Sequence, residues 1–176
     1  QEFYNDAMAN GHPVAIQPEA GGSPGALNFS SMGWGYWKYP KIPPVDLLKF
    51  LETRYLTQVC DRWSRDKTDI IQLAWFNGDG VETWQNIWGI WQGLTERDAG
   101  ALQRLGPLLR FFGRSRRFLQ SSAWVPHTPM LQSMEADVYA SAWPLGNETL
   151  WSIVNRGVKD TTGPQLAVDP SDKRFY

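Results

Sequence analysis

Residues 68–76, TDIIQLAWF, are apolar on both alternating faces apart from Gln72, and are followed directly by the turn chemistry of NGDG. A run apolar on both faces reads as a parallel strand covered on both sides. A second such strand is expected at 14–18, VAIQP, before the Gly/Pro-rich stretch EAGGSPG, and ALNFSSM adds a further short strand. Between them Asp46 stands where it would cap a helix, and DLLKFLETRYLTQVCDRWSRD carries Leu48, Leu51, Tyr55 and Val59 at helical spacing. Another helix is expected from Thr95, where Thr95-Glu96-Arg97-Asp98 resembles a capping box; Gly106-Pro107 should kink or interrupt it, and Gly113 should end it. Strand, long loop, helix, repeated twice, is the unit of an α/β fold with a parallel sheet.

The pattern changes near residue 125. ADVYASAWPL and ETLWSIVNR are strand-like and joined by a tight Gly-Asn turn, and QLAVDPSDKRFY continues in the same style. Adjacent strands without helices imply antiparallel sheet. Two β/α units bury too little surface to stand alone, since a complete (β/α)8 barrel takes about 250 residues. The expectation is therefore a piece of a larger body, completed by an N-terminal segment, a cleaved companion chain or another partner.

Composition narrows the chemistry. A formal net charge of −1 over 176 residues gives no electrostatic case for nucleic acid or an anionic membrane. The single cysteine, Cys60, excludes an internal disulfide and a CxxC metal site, and is expected to be a small buried hydrophobe. His12 and His127 lie far apart without ligand-spaced neighbours, so no metal or other cofactor is expected. No phosphate-cradling glycine loop and no G-x-S-x-G elbow is present. The arginines of RFFGRSRR suit a solvated helix end.

Aromatic content stands out, with ten Trp, six Tyr and eight Phe. The two segments 19–45 and 77–94 are longer than ordinary βα loops, and each carries a carboxylate followed by tryptophans. In parallel α/β folds, loops after the strands share the ligand-binding face. Topology would thus gather Glu19, Asp79 and Glu82 with Trp34, Trp37, Trp84, Trp88 and Trp91. Paired carboxylates beside tryptophan suit glycoside hydrolysis: one acid protonates the leaving oxygen, the other attacks or activates water, and sugar faces stack on the rings. Glu82 and Glu19 are the leading catalytic pair, with Asn77, Asp79, Trp34, Trp37, Trp84 and Trp88 as substrate contacts. The competing reading has Trp84, Trp88 and Trp91 as a helical core stripe, Asp79 as a turn-former and Glu82 as a cap. The sequons Asn28-Phe29-Ser30 and Asn147-Glu148-Thr149 lean toward an extracellular glycoprotein.

FNGDGVETWQNIWGIWQGLTERDAGAL, with YNDAMANGHPVAIQPE and ALNFSSMGWGYW, resembles a glycoside hydrolase-like barrel region of large, secreted, multidomain proteins. Some of those also carry a domain similar to the formylglycine-generating, sulfatase-modifying enzymes. The likeness extends into VYASAWPLGNETLWSIVNR and DKRFY, which look like opening strands of a following β-sandwich. It implies that 1–125 hold the C-terminal β/α units of a TIM-type (β/α)8 barrel and 126–176 the first sandwich strands. It also implies a carbohydrate ligand and a companion polypeptide supplying the rest of both. It assigns no catalytic pair. The neighbouring formylglycine-type activity does not transfer, because Cys60 does not match a copper-binding cysteine pair. A module that has lost catalysis, structural or glycan-binding within an extracellular assembly, is the alternative.

Overall fold

A computed structural model describes residues 2–19, 23–35, 40–61, 64–83, 93–131 and 137–168. Helix α1 spans Glu2–Ala9 and buries none of its residues. A 3-10 turn, Pro24–Asn28, leads into strand β1, Met32–Gly35. Helix α2, Leu47–Leu51, precedes strand β2, Leu56–Val59, and helix α3, Thr68–Asn77, precedes strand β3, Gly80–Val81. Helix α4, Glu96–Arg110, passes into a π turn at Phe111–Ser115 and a 3-10 turn at Phe118–Gln120. Strands β4, Val138–Leu145, and β5, Glu148–Asn155, close the described order.

β1, β2 and β3 form a parallel sheet in that order, and β4 and β5 an antiparallel hairpin. Among the described residues neither a closed barrel nor a sandwich is present. The expected barrel-plus-sandwich architecture is therefore replaced by a small mixed α/β arrangement. Its covered face is built by alternation: Gly33, Thr57 and Val59 are buried, and Val59 packs with Ile70, Ile71 and Ala74 of α3. Leu102 and Leu105 of α4 close that cluster from outside. The hairpin packs on α3 from the other side, where Phe76, Tyr139 and Val154 form a second cluster.

Two elements differ in kind from expectation. TDIIQLAWF is helix α3, whose all-round burial comes from the sheet on one side and the hairpin on the other. Gly78 ends it in the left-handed region at φ 67°, a conformation glycine adopts without penalty. The 46–66 stretch is not one helix. Asp46 does cap α2, accepting from the Leu48 and Lys49 amides, but the helix stops at Leu51. LTQV then forms β2, its residues alternately half-buried and buried. The Thr95 cap forms as expected, its hydroxyl accepting from the Asp98 amide. Pro107 lies inside α4, and the helix continues three residues beyond it before widening into the π turn that holds Gly113. VAIQP carries no regular strand, but it runs beside β1: Ser30 Oγ donates to the Ile16 carbonyl at 2.8 Å and the Trp34 amide to the Pro18 carbonyl at 3.0 Å. Beyond Asn155 the described part of the last segment, 156–168, forms no strand.

Candidate functional site

The second, half-buried face of the parallel sheet carries Met32, Trp34, Leu56, Gln58 and Gly80, with Trp34, Gln58 and Gly80 level with one another by register. Any side chain on residue 80 would collide with the Gln58 amide, so the missing Cβ lets that amide lie across the sheet. The ladder runs one residue past β3, because the Glu82 amide donates to the Val59 carbonyl at 2.9 Å. Alternation then places Glu82 on the same face as Gly80. On the opposite edge, residues 14–19 alternate half-buried and exposed, which puts Gln17 and Glu19 on one exposed side.

Gln17 Nε2 donates to Glu82 Oε2 at 3.3 Å. The segment holding Gln17, β1, β2 and β3 occupy successive positions, about 14 Å across if flat. Both long side chains therefore lean over the face to meet. The structure brings Glu82 and Gln17 together above Trp34 and Gln58, with Glu19 at the edge beside Trp34. Trp34 is half-buried and Glu19 exposed.

Asn77 and Asp79 are placed differently. Asn77 is fully buried, and its amide serves the fold. Its Nδ2 donates to the Pro44 and Leu73 carbonyls at 3.1 and 3.2 Å, and its Oδ1 accepts from the Asp46 amide at 3.0 Å. Asp79 is 1% exposed and faces a buried group of Asp46, Lys49 and Thr57 at the starting end of the parallel strands. Neither residue reaches the Glu82 face. Trp37, Trp84, Trp88 and Trp91 lie outside the described residues. Asn28 and Asn147 are both exposed, Asn28 ending the 3-10 turn and Asn147 following Gly146 in the hairpin turn.

A separate polar cleft of about 390 Å³ opens where α3, α4 and the end of β5 converge, lined by Asp66, Asp69, Gln72, Arg97, Asn155 and Arg156 among others. It contains none of the candidate site residues. The Arg156 side chain is 5% exposed and donates to Asp69 at 2.6 Å, to Gln72 at 2.8 Å and to the Pro40 carbonyl at 3.1 Å. These bonds tie the 40–41 loop and the hairpin to α3, which explains the cleft as a structural junction. No group of three or more metal-ligating side chains occurs among the described residues. No helix in the described residues is long and apolar enough to cross a membrane.

Gln17 and Gln58 were not among the residues the sequence pointed to. The alternation of LTQV was the available signal for Gln58, masked by the leucines at helical spacing before it. Gln17 had no signal, because its role depends on a contact 65 residues away in sequence. Comparison with family models, with curated proteins and with solved structures returns no match for this chain.

Proposed function

We propose that this chain is a glycoside hydrolase-like, carbohydrate-active protein that binds a glycan on the half-buried face of its parallel sheet that carries Trp34 and Gln58. One observation carries the reading: Gln17 and Glu82, from opposite edges, meet over a face that also presents Trp34, Gln58 and Glu19. A sugar ring offers a flat apolar side to an indole and hydroxyls that both donate and accept. Trp34 supplies the apolar surface. The carboxylates accept from hydroxyls, and the glutamine amides do both. Glu82 and Glu19 are the pair that would serve glycosidic cleavage. The alternative of a binding module without turnover draws on the Gln17 amide, which engages one oxygen of Glu82. Secretion and glycosylation at Asn28 and Asn147 belong to the same proposal, supported by the exposure of both asparagines.

The test is a panel of soluble oligosaccharides screened for binding and for reducing-end release, using the full chain and its Trp34→Ala, Glu19→Gln and Glu82→Gln variants. Binding that falls at least tenfold in Trp34→Ala supports the face. Hydrolysis lost in both glutamine variants while binding persists assigns the pair. Binding without hydrolysis by the unaltered chain selects the non-catalytic module. No binding by the unaltered chain rejects the proposal.

A further inference from the structure

At the starting end of the parallel strands, opposite the Glu82 face, three charged side chains are buried together: Asp46 is 7% exposed, Lys49 3% and Asp79 1%. The hydrogen-bond donors are unequally shared among them. Asp46 Oδ1 accepts from the amides of Leu48 and Lys49 at 2.9 and 3.4 Å, and Asp46 Oδ2 accepts from the Thr57 hydroxyl. Asp46 thus takes three donors, two backbone amides and one hydroxyl. Lys49 Nζ donates to the Tyr55 carbonyl at 3.5 Å and lies 5.9 Å from the centre of the Trp143 ring. Neither oxygen of Asp79 has a partner in full hydrogen-bond geometry among the described residues, although the Thr57 backbone amide is close enough to favour its charged form. With all three groups ionised, the site would hold two negative charges against one positive, away from water.

We propose that Asp79 is a buried proton-binding site: it carries its proton at neutral pH, leaving Asp46 and Lys49 as a balanced pair, and its ionisation loosens the Gly78–Asp79 turn from which β3 departs. Charge balance and donor placement carry the proposal, since an unpaired buried carboxylate is far costlier than a buried carboxylic acid. Burial pushes the Asp79 carboxyl well above the usual carboxylate range and the Asp46 charge adds to this, while Lys49 and the Thr57 backbone amide offset it only in part. The other neighbours are the Tyr55 carbonyl just before β2, the Thr57 hydroxyl on β2 and the uncharged Trp143 ring from β4. The turn has little slack, because Gly78 sits against Leu119 and Trp143.

The sign follows from proton counting. Asp79 is raised above its unfolded value of 3.8, so the folded state binds the extra proton. Its contribution is complete below that value and is lost as pH rises toward the folded one. Lys49, lowered chiefly by burial, acts oppositely at alkaline pH, so the useful window is about pH 4.5–7.5.

The experiment compares urea unfolding of the full chain and its Asp79→Asn variant across that window. The unfolding constant of the unaltered chain should rise by up to tenfold per pH unit relative to the variant, the signature of one proton. Superimposable pH profiles would overturn the proposal. Carboxyl 13C NMR of the unaltered chain provides the measurement that does not depend on the variant folding. One aspartate carboxyl with the chemical shift of the protonated form near neutral pH is expected, and a fully ionised aspartate set would overturn the assignment.

Discussion

Replacing Asp98 by alanine should be one of the most damaging single changes outside the apolar clusters. Asp98 is 1% exposed and sits in the first turn of α4, yet it serves two helices at once. Its Oδ2 accepts from the Lys67 amide at 2.7 Å, at the start of α3. Its Oδ1 accepts from the Thr68 hydroxyl at 3.2 Å and from Arg97 Nε at 3.1 Å. A negative charge here also lies at the positive end of both helix dipoles. Losing a charge-assisted bond to a buried amide costs roughly 1.5–3 kcal/mol, the amide being left without a partner. The two more exposed bonds add about 0.5 kcal/mol each. The sum is about 3 kcal/mol for Asp98→Ala, and about half that for Asp98→Asn, which keeps an acceptor but loses the charge.

The pH dependence of that loss gives a second handle. Burial works against the Asp98 charge, but the Lys67 amide, Arg97 and Thr95 outweigh it and hold the carboxyl below its usual value of 3.8. A depressed value means the contribution is complete above the unfolded value and disappears as pH falls through the folded one. Urea unfolding at neutral pH and near pH 2.5 measures both effects. The alanine variant should be less stable by about 3 kcal/mol at neutral pH, and the gap should narrow in acid. A neutral-pH difference below about 0.5 kcal/mol, the range of an ordinary surface change, would refute the two-helix role.

Gly78→Ala should destabilise by more than about 1 kcal/mol, because φ is positive and the new methyl would lie 3.0–3.2 Å from Leu119 and Trp143. Thermal unfolding checks this, and an unchanged midpoint would contradict it. Trp143→Ala should cost about 3–5 kcal/mol, since the ring is fully buried and stacked on Trp124 with centroids 4.6 Å apart. Near-ultraviolet circular dichroism should lose the stacked-indole signal, and its retention would show that the pair does not form. Expression in a secreting eukaryotic cell should add a glycan at Asn147, read as a mass increment that Asn147→Gln abolishes; full-length chain lacking any increment there would dismiss the site.

The parts of this fold that were readable from sequence are those governed by local chemistry. The Thr95 cap and the Asp46 cap depend on one side chain meeting an amide two or three residues on, and both formed. The β4–β5 hairpin was readable because apolar alternation flanks a Gly-Asn turn. TDIIQLAWF was not, because an element buried on all sides loses its periodicity, and strand and buried helix become indistinguishable. The informative residue was Gly78, whose place after Asn77 is that of a helix C-cap as much as a turn. β2 was hidden because Leu48, Leu51, Tyr55 and Val59 fall at helical spacing although a strand begins at Leu56. In the candidate site, the sequence picks out Glu82, Glu19 and Trp34 as following parallel strands. However, Glu82 follows β3 and not the expected strand at 68–76, Trp34 lies within β1 and not in a loop, and Glu19 ends a segment that forms no strand. Asn77 and Asp79 looked equally exposed in sequence. Their burial depends on α2 and β4 closing over them, information carried by residues far away in the chain.

The most direct measurement is an NMR titration of 15N-indole tryptophan signals with the oligosaccharides of the screening panel, the Trp34 signal being assigned from Trp34→Phe. Glycan binding on the sheet face requires the Trp34 indole to shift in a saturable manner, and the shift should persist in Glu82→Gln and in Glu19→Gln, where only hydrolysis is lost. A Trp34 signal that stays fixed while every panel member is raised to millimolar concentration would show that this face does not bind carbohydrate.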